Sequence, residues 1–385
     1  MNSAGDFAQT PFAQNPREST ALFTDRYELT MLDAALQAGT AGHSATFEVF
    51  TRWLPEGRTH GVFAGLGRLV EALEGFRFGP AELAWLRAAG IVSEATLAWL
   101  EEYRFSGDIW AYAEGELYTV GSPVLTVQST FGEAVLLETL VLSILNHDSA
   151  IAAAAERIVA AAGERPVIEM GSRRTDVGAA VAAARAAYLA GFASTSNLEA
   201  GRRYGIPTAG TSAHAFTLAF PTERDAFVAQ VAALGPNTTL LVDTYETESA
   251  IRTAVDVAGP ELGSVRIDSG DLAKEAARAR EILDSAGAGG TRIIVTGDLD
   301  DHSIAALANA PVDGYGVGTA LVTGLGVPTA GFVYKLVAVE EQPVAKRSEG
   351  KEGVGGRKWA WRVRASRPPA NTEGPAYEGG GPVLV

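Results

Sequence analysis

Seven short apolar segments between residues 164 and 320 constrain the fold of this chain more than any other feature. Each segment ends on a small group of polar, charged or glycine residues, and helix-like stretches separate them. The order of apolar strand, polar loop and helix is typical of a barrel of parallel strands, whose functional loops all lie at the carboxyl ends of the strands. With their polar ends, the seven segments are 167–174, 191–197, 206–214, 240–247, 265–271, 293–298 and 314–319. The sequence therefore predicts an α/β barrel with its functional side chains at seven strand ends.

The segments on either side of the barrel predict a second, smaller domain. Residues 1–18 predict a disordered leader that has no apolar segment of the kind found in a signal peptide. We expect residues 19–130 and 331–385 to form one α/β domain, and residues 131–330 to form the barrel. Strands are predicted at 45–51, at two places within 108–128, at 332–339 and at 359–363, and helices at 24–39, 61–75, 80–103 and 131–162.

Composition limits the partners that a chain of this kind can have. The 385 residues carry a net charge of −15, so the surface is poorly suited to nucleic acid or to an anionic membrane. The longest apolar stretch, 177–193, is interrupted by Arg185, which favours a buried helix over a membrane span. The absence of cysteine excludes disulfides and thiolate catalysis, and we expect a cytoplasmic protein.

The pooled strand ends contain the side chains of a sugar-phosphate pocket. Arg173 and Arg266 can bind a phosphate or a carboxylate through charge-assisted hydrogen bonds. Asp268 and Asp298 can hold ribose hydroxyls or, together, a magnesium ion. Candidate phosphate contacts at the remaining ends are Ser269, Gly270, Gly297, Asp298, Gly318 and Thr319. A helix cap or a turn glycine explains each end alone, but not seven such ends in register.

His214 follows the third apolar segment. Its position alone is equally compatible with a general base, a phosphate contact and a structural histidine. An imidazole can also act as a nucleophile and carry a phosphoryl group.

Five stretches of the sequence, taken together, resemble motifs of nicotinate phosphoribosyltransferases, and of the actinobacterial type in particular. The matching stretches are Thr24–Met31, Glu169–Arg174, Gly210–His214, Val265–Leu272 and Gly316–Thr319. The resemblance implies a type II phosphoribosyltransferase, with an irregular α/β barrel, a smaller α/β domain built from both chain ends, and homodimers with shared active sites. It also implies a reaction of nicotinate with 5-phosphoribosyl 1-diphosphate that gives nicotinate mononucleotide and diphosphate, the first step of NAD salvage from nicotinate.

The resemblance further implies roles for individual residues. ATP hydrolysis would be coupled to the reaction through phosphorylation of His214, with Asp268 as a second catalytic residue. Thr211 and Arg266 match nicotinate contacts, Tyr27 matches the ring that stacks on the pyridine, and Thr319 matches a phosphoribosyl contact. Magnesium near Asp268 or Asp298 would stabilise the departing diphosphate, together with cations of the returning C-terminal segment. Those cations are Lys335, Lys346 and Lys351.

Ser196 bears on the choice of pyridine. Relatives that use nicotinamide have an aspartate at the corresponding position, and an aspartate would repel the carboxylate of nicotinate. The sequence therefore predicts a preference for nicotinate. The alternatives are a phosphoribosyltransferase for nicotinamide or another pyridine, and a non-catalytic barrel that binds nucleotides. The segment Val354–Lys358 departs from the family pattern, which usually has Pro-Gly there.

Overall fold

The computed structural model describes residues 19–348 and 353–361, so the predicted leader lies outside the described residues. The N-terminal part alternates between strands and helices. Its strands are β1 (Ser44–Thr51), β2 (Gly61–Val62), β3 (Asp108–Ala111), β4 (Leu117–Tyr118) and β5 (Leu125–Thr130). Its helices are α1 (Arg26–Ala38), α2 (Leu66–Glu74), α3 (Pro80–Ala88), α4 (Glu94–Glu102), α5 (Phe131–Val135) and α6 (Glu138–Ala162).

The barrel follows, with six parallel strands that alternate with helices. The strands are β6 (Val167–Glu169), β7 (Ser194–Thr195), β8 (Thr239–Leu241), β9 (Ser264–Ile267), β10 (Arg292–Val295) and β11 (Gly314–Val317). The helices are α7 (Val177–Leu189), α8 (Leu198–Tyr204), α9 (His214–Leu218), α10 (Glu223–Leu234), α11 (Thr247–Ala258), α12 (Leu272–Ser285), α13 (Asp301–Ala306) and α14 (Thr319–Val322). The last strands are β12 (Phe332–Val339) and β13 (Gln342–Pro343).

The barrel sheet runs in the order β7-β6-β11-β10-β9-β8, so the last barrel strand pairs with the first. The third apolar segment forms no full strand, and the prediction of a strand there was wrong. It joins β7 only through a bridge between Thr195 and Thr208. Pro207 in this segment has no N–H to donate, which confines it to a sheet edge. The barrel is therefore open between the third segment and β8, and this opening is called the seam below.

The smaller domain brings the two ends of the chain together in one sheet. Its order is β13-β12-β1-β5-β3, with β1 antiparallel to both of its neighbours. The predicted helix near Asp25 is confirmed as α1, which buries Leu29, Leu32 and Ala35 and ends at Gly39 in the left-handed region. The predicted strand at 332–339 is confirmed as β12.

Helix α6 belongs to both cores. Its first half, with Leu140 and Leu145, packs in the core of the smaller domain, whereas Ile151 and Ile158 pack in the barrel core. The alanine-rich contact between α6 and α7 allows the two backbones to approach closely. The predicted boundary at residues 130/131 stays a prediction. Among the described residues, none of the helices combines the length and apolar character needed to cross a bilayer.

Three other predicted elements were partly wrong. The helix at 61–75 begins only at Leu66, because Gly61 and Val62 pair with β4 as strand β2. The ring of Tyr118 leaves no room for a Cβ atom on Gly61. The helix at 80–103 is divided into α3 and α4 at Gly90, which has a φ of 60°. The helical region 131–162 is likewise divided into α5 and α6.

The predicted strand at 359–363 was also wrong where the structure describes it, since Trp359–Trp361 lie in no strand. Side chains hold this segment instead. The guanidinium of Arg357 lies between the rings of Trp110 and Trp359, 4.1 and 3.9 Å from their centroids. Lys358 Nζ donates to the buried carboxylate of Glu48 at 2.7 Å. The remainder of the predicted strand lies outside the described residues.

Candidate functional site

His214 lies across the seam of the barrel. Its Nδ1 is 3.1 Å from Thr244 Oγ1, at the end of the fourth segment. Its Nε2 is 3.9 Å from Asp268 Oδ2, at the end of the fifth. The side chains of His214 and Asp268 are 40% and 39% exposed, so both remain accessible to a ligand. The first residue of a short helix therefore contacts two strand ends that are distant in sequence.

Asp268 is held in place by its neighbours. Its Oδ1 accepts a hydrogen bond from the Thr296 hydroxyl. Its backbone N–H donates to Asp243 Oδ2 at 2.8 Å, and the Ser269 hydroxyl donates to the same oxygen at 2.7 Å. The sequence left Asp243 without a role, and the structure shows that it fixes the loop after β9.

Arg266, in the fifth segment, has a half-buried side chain. Its Nε is buried and has no hydrogen-bond partner among the described residues, and the same holds for Asp243 Oδ1. Burial lowers the pKa of Arg266, and nearby Arg173 lowers it further, whereas Asp268 and Asp243 raise it. The guanidinium of Arg266 therefore has hydrogen-bonding capacity that its protein neighbours leave unused.

Tight packing explains several of the glycines at the strand ends. A Cβ atom on Gly297 would lie 2.4 Å from the carbonyl oxygen of Asp268, and its φ is 106°. A Cβ atom on Gly318 would lie 3.2 Å from the carbonyl oxygen of Met170. Gly270 has a φ of 84° and the exposed Asp298 a φ of 47°. Thr319 is the first residue of α14. These residues surround the same end of the barrel, and their phosphate contacts stay predictions.

The structure places the other predicted nicotinate contacts on the surface. Arg173, Ser196 and Thr211 are exposed at the ends of the first three segments. The backbone N–H of Ser196 donates to the carbonyl of Glu169 at 2.8 Å, which fixes the second end against the first.

Tyr27 and Lys335 lie together away from the seam, on either side of Glu138. Lys335 Nζ is 4.0 Å from Glu138 Oε1. Burial, followed by the charges of Glu138 and Glu28, raises the pKa of Tyr27 to about 12. Within residues 19–348 and 353–361, no hydrogen bond or ion pair joins either side chain to the strand ends. Lys346 is exposed, and Lys351 lies outside the described residues.

Glu223 is a titratable residue that sequence reasoning missed. Burial, with added repulsion from Asp243 and Glu246, raises its pKa from 4.5 to about 6. Ionisation of this carboxyl group therefore opposes folding. Neutral Glu223 makes its full contribution to the stability of the folded protein below pH 4.5. That contribution is lost as the pH rises through about 6.

Glu223→Gln is accordingly expected to raise the melting temperature at a pH of about 7.5, where wild-type Glu223 is ionised. The gain should shrink as the pH falls through about 6. Thermal unfolding followed by circular dichroism over this range would test it, with the exposed Glu261→Gln as control. A gain that is the same at every pH would show that the charge of Glu223 is not the cause.

Two family models match the chain. The nicotinate phosphoribosyltransferase (NAPRTase) N-terminal domain matches residues 22–146, and the quinolinate phosphoribosyl transferase C-terminal domain matches residues 151–324. The two matches meet inside α6, where packing changes from one core to the other.

Curated relatives and solved structures cover most of the chain. A nicotinate phosphoribosyltransferase of Mycobacterium tuberculosis is 61% identical over 354 residues, which are 90% of this chain and 79% of the relative. One from Bacillus subtilis is 38% identical, with 90% and 74% covered. The crystal structure of human nicotinic acid phosphoribosyltransferase matches with a TM-score of 0.77 and 30% identity, over 89% of this chain and 79% of that one. The crystal structure of a nicotinate-nucleotide pyrophosphorylase from Pyrococcus furiosus shows the same fold. It is 24% identical, with a TM-score of 0.76, over 97% of this chain and 92% of that one.

Proposed function

This chain belongs to the nicotinate phosphoribosyltransferase family, and from that premise we propose that it couples its reaction to ATP through His214. The overall reaction consumes nicotinate, 5-phosphoribosyl 1-diphosphate, ATP and water. It yields nicotinate mononucleotide, diphosphate, ADP and phosphate, as the first step of NAD salvage from nicotinate. The observation that carries the proposal is the accessible imidazole of His214 across the seam, in contact with Thr244 and facing Asp268.

Nicotinate recognition rests on the two arginines. Nicotinate is a flat ring with one carboxylate, and the guanidinium of the half-buried Arg266 can donate to that group. Arg173 adds positive charge nearby. Thr211 supplies a hydroxyl at the third end. A ring face for stacking comes from Tyr27.

His214 acts as the nucleophile toward ATP. A bond forms between a ring nitrogen and the terminal phosphorus, the bond from that phosphorus to the bridging oxygen breaks, and ADP leaves. Water later takes the phosphoryl group and releases phosphate. Thr244 holds the imidazole in one orientation, and Asp268, fixed by Asp243 and Thr296, stabilises the positive charge that develops on the ring as the new bond to phosphorus forms.

Magnesium fits this site only as an ion shared with the substrate. No group of three or more His, Asp or Glu side chains that could hold a metal occurs in the part of the chain that the structure describes. Mg²⁺ usually binds one or two carboxylates together with substrate phosphates and water. We propose Asp268 and Asp298 as those carboxylates. The bound ion would supply positive charge for the departing diphosphate.

The sites are proposed to lie between two subunits of a homodimer. Tyr27 and Met31 are 45% and 37% exposed and lie four residues apart on one face of α1, and Phe23, 66% exposed, lies in the turn just before the helix. Together they form an exposed apolar stripe at the N-terminal end of α1. A stripe of this kind is typical of a protein contact. In this arrangement Tyr27, Lys335, Lys346 and Lys351 of one subunit complete the barrel site of the other. We also propose a cytoplasmic location, which the lack of cysteine favours.

The reaction itself is tested by measuring diphosphate release with nicotinate, with and without ATP. Turnover of nicotinate that ATP accelerates supports the proposal. The absence of nicotinate-dependent diphosphate release in both assays would refute it.

Ser196→Asp tests the choice of pyridine. A carboxylate at this exposed position would repel the carboxylate of nicotinate, so the ratio of kcat/KM for nicotinate over nicotinamide is expected to fall by about tenfold or more. Initial rates with both pyridines give the ratio. Ser196→Asn, which has similar size and no charge, serves as the control. An unchanged ratio in the aspartate variant would remove Ser196 from the specificity site.

A further inference from the structure

Glu169, at the end of β6, is a fully buried carboxylate that the proposed reaction does not use. Burial raises its pKa, and the hydrogen bonds that it accepts act in the opposite direction. One oxygen accepts from the backbone N–H of Gly171, and the other from the hydroxyl of Thr195. Burying a carboxylate costs free energy, so a group retained here at a strand end calls for an explanation.

These contacts continue into a closed circuit of hydrogen bonds between two strand ends. The Thr195 hydroxyl accepts from the backbone N–H of Asn197 at 2.9 Å. The Asn197 side chain donates to the Ser172 hydroxyl at 2.9 Å. Ser172 follows Gly171, which returns the circuit to Glu169. The first segment end is thereby tied to the second at several points.

The circuit frames two of the predicted nicotinate contacts. Ser196 lies between Thr195 and Asn197, and its own N–H donates to the Glu169 carbonyl at 2.8 Å. Arg173 follows Ser172 directly. Neither Arg173 nor Ser196 has a side-chain hydrogen bond to the circuit among the described residues. Their relative position therefore depends on the backbone that the circuit holds.

We propose that Glu169 and Thr195 are positioning residues that set the affinity for the pyridine substrate by fixing Ser196 relative to Arg173. The inference rests on the proposed function and deepens it. A circuit that holds the two nicotinate-facing ends affects binding of the pyridine. It leaves binding of phosphoribosyl diphosphate, assigned to the fifth to seventh ends, unaffected.

Thr195→Val is the direct test, because it keeps the shape of a buried side chain and removes the hydroxyl that joins Glu169 to Asn197. We expect the KM for nicotinate to rise about tenfold, while kcat changes by less than about twofold. The KM for phosphoribosyl diphosphate should stay as in the wild type. Thr195→Ser, which retains the hydroxyl, should restore the nicotinate KM.

Thr96→Val is the matched control. Thr96 is also fully buried and donates to a carboxylate, that of Asp33, at 2.6 Å, but it lies in the smaller domain. Its loss should lower the melting temperature without a selective change in the nicotinate KM. A folded Thr195→Val protein with a wild-type nicotinate KM, or with equal rises in both KM values, would overturn the proposal.

Ser172→Ala keeps the proposal falsifiable if Thr195→Val does not fold. It removes only the acceptor of the Asn197 side chain, at a half-buried position. A selective rise in the nicotinate KM supports the circuit, and an unchanged KM overturns it. Failure of the proposed function is seen separately, since the wild-type enzyme would then make no product from nicotinate.

Discussion

His214→Ala is expected to abolish labelling of the protein by the terminal phosphate of ATP. The wild type should acquire acid-labile phosphate, because a phosphorylated imidazole is the covalent intermediate that the proposal requires. The ratio of synthesis rates with and without ATP should fall to about 1 in the variant, since alanine offers no nucleophile. Slow synthesis without ATP should persist, because Arg266 and Asp268 remain. Radiolabelled ATP, followed by acid treatment, measures the first effect, and diphosphate release measures the second.

His43→Ala is the control for this experiment, since His43 is exposed on the smaller domain at the start of β1. It should label fully and retain stimulation by ATP. Full labelling of the His214→Ala protein would show that another residue carries the phosphoryl group. Loss of all synthesis, with and without ATP, would instead show that His214 has a role in the transfer of the ribosyl group itself.

The arrangement around His214 shows what the sequence could predict. Parallel strands bring their carboxyl ends to one face, so Arg266, Asp268 and His214 could be grouped from the segment pattern alone. The partners of His214 could not be predicted in the same way. Thr244 contacts it because the third segment stops pairing and the His214 side chain reaches across the seam. This depends on which strands are neighbours in space.

Asp243 and Glu223 illustrate the same limit. Asp243 follows an ordinary apolar segment, and Glu223 lies in the first turn of a helix, where an acidic residue is common. Asp243 supports the loop after β9, and its negative charge raises the pKa of Glu223 across the seam. Such contacts depend on three-dimensional distances that no local pattern contains. The sequence did contain one signal for the seam. Pro207 lies in the third apolar segment, and a proline in such a segment indicates the edge of a sheet.

The prediction of a strand in the C-terminal segment was wrong for a different reason. Trp359 and Trp361 alternate with small or charged residues, which favours a strand on local grounds. The ring of Trp359 stacks on Arg357 instead, and Lys358 pairs with the buried Glu48. These side-chain contacts replace the ladder hydrogen bonds of a strand. Local periodicity cannot predict these contacts, because Glu48 and Trp110 are distant in sequence.

Complementation between two impaired variants is expected if the active sites are shared between subunits. Tyr27→Ala should lower kcat/KM for nicotinate by about tenfold, because the stacking ring is lost. His214→Ala should lose the part of the rate that depends on ATP. In a mixed dimer, the barrel of the Tyr27→Ala subunit meets the intact Tyr27 of its partner, which yields one complete site. Co-production of the two in equal amounts should therefore restore about one quarter of the wild-type ATP-dependent rate, since about half of the dimers are mixed.

A pair of barrel variants provides the matched control, because His214→Ala and Arg266→Ala affect the same subunit's contribution to a site. Their mixed dimers contain no complete site, and co-production should give no recovery. If Tyr27 and His214 instead act within one chain, the Tyr27→Ala and His214→Ala mixture should give only the average of the two variants. The apolar stripe of Phe23, Tyr27 and Met31 would then require a different partner, because an exposed surface of this kind in a monomer has no counterpart to bury it.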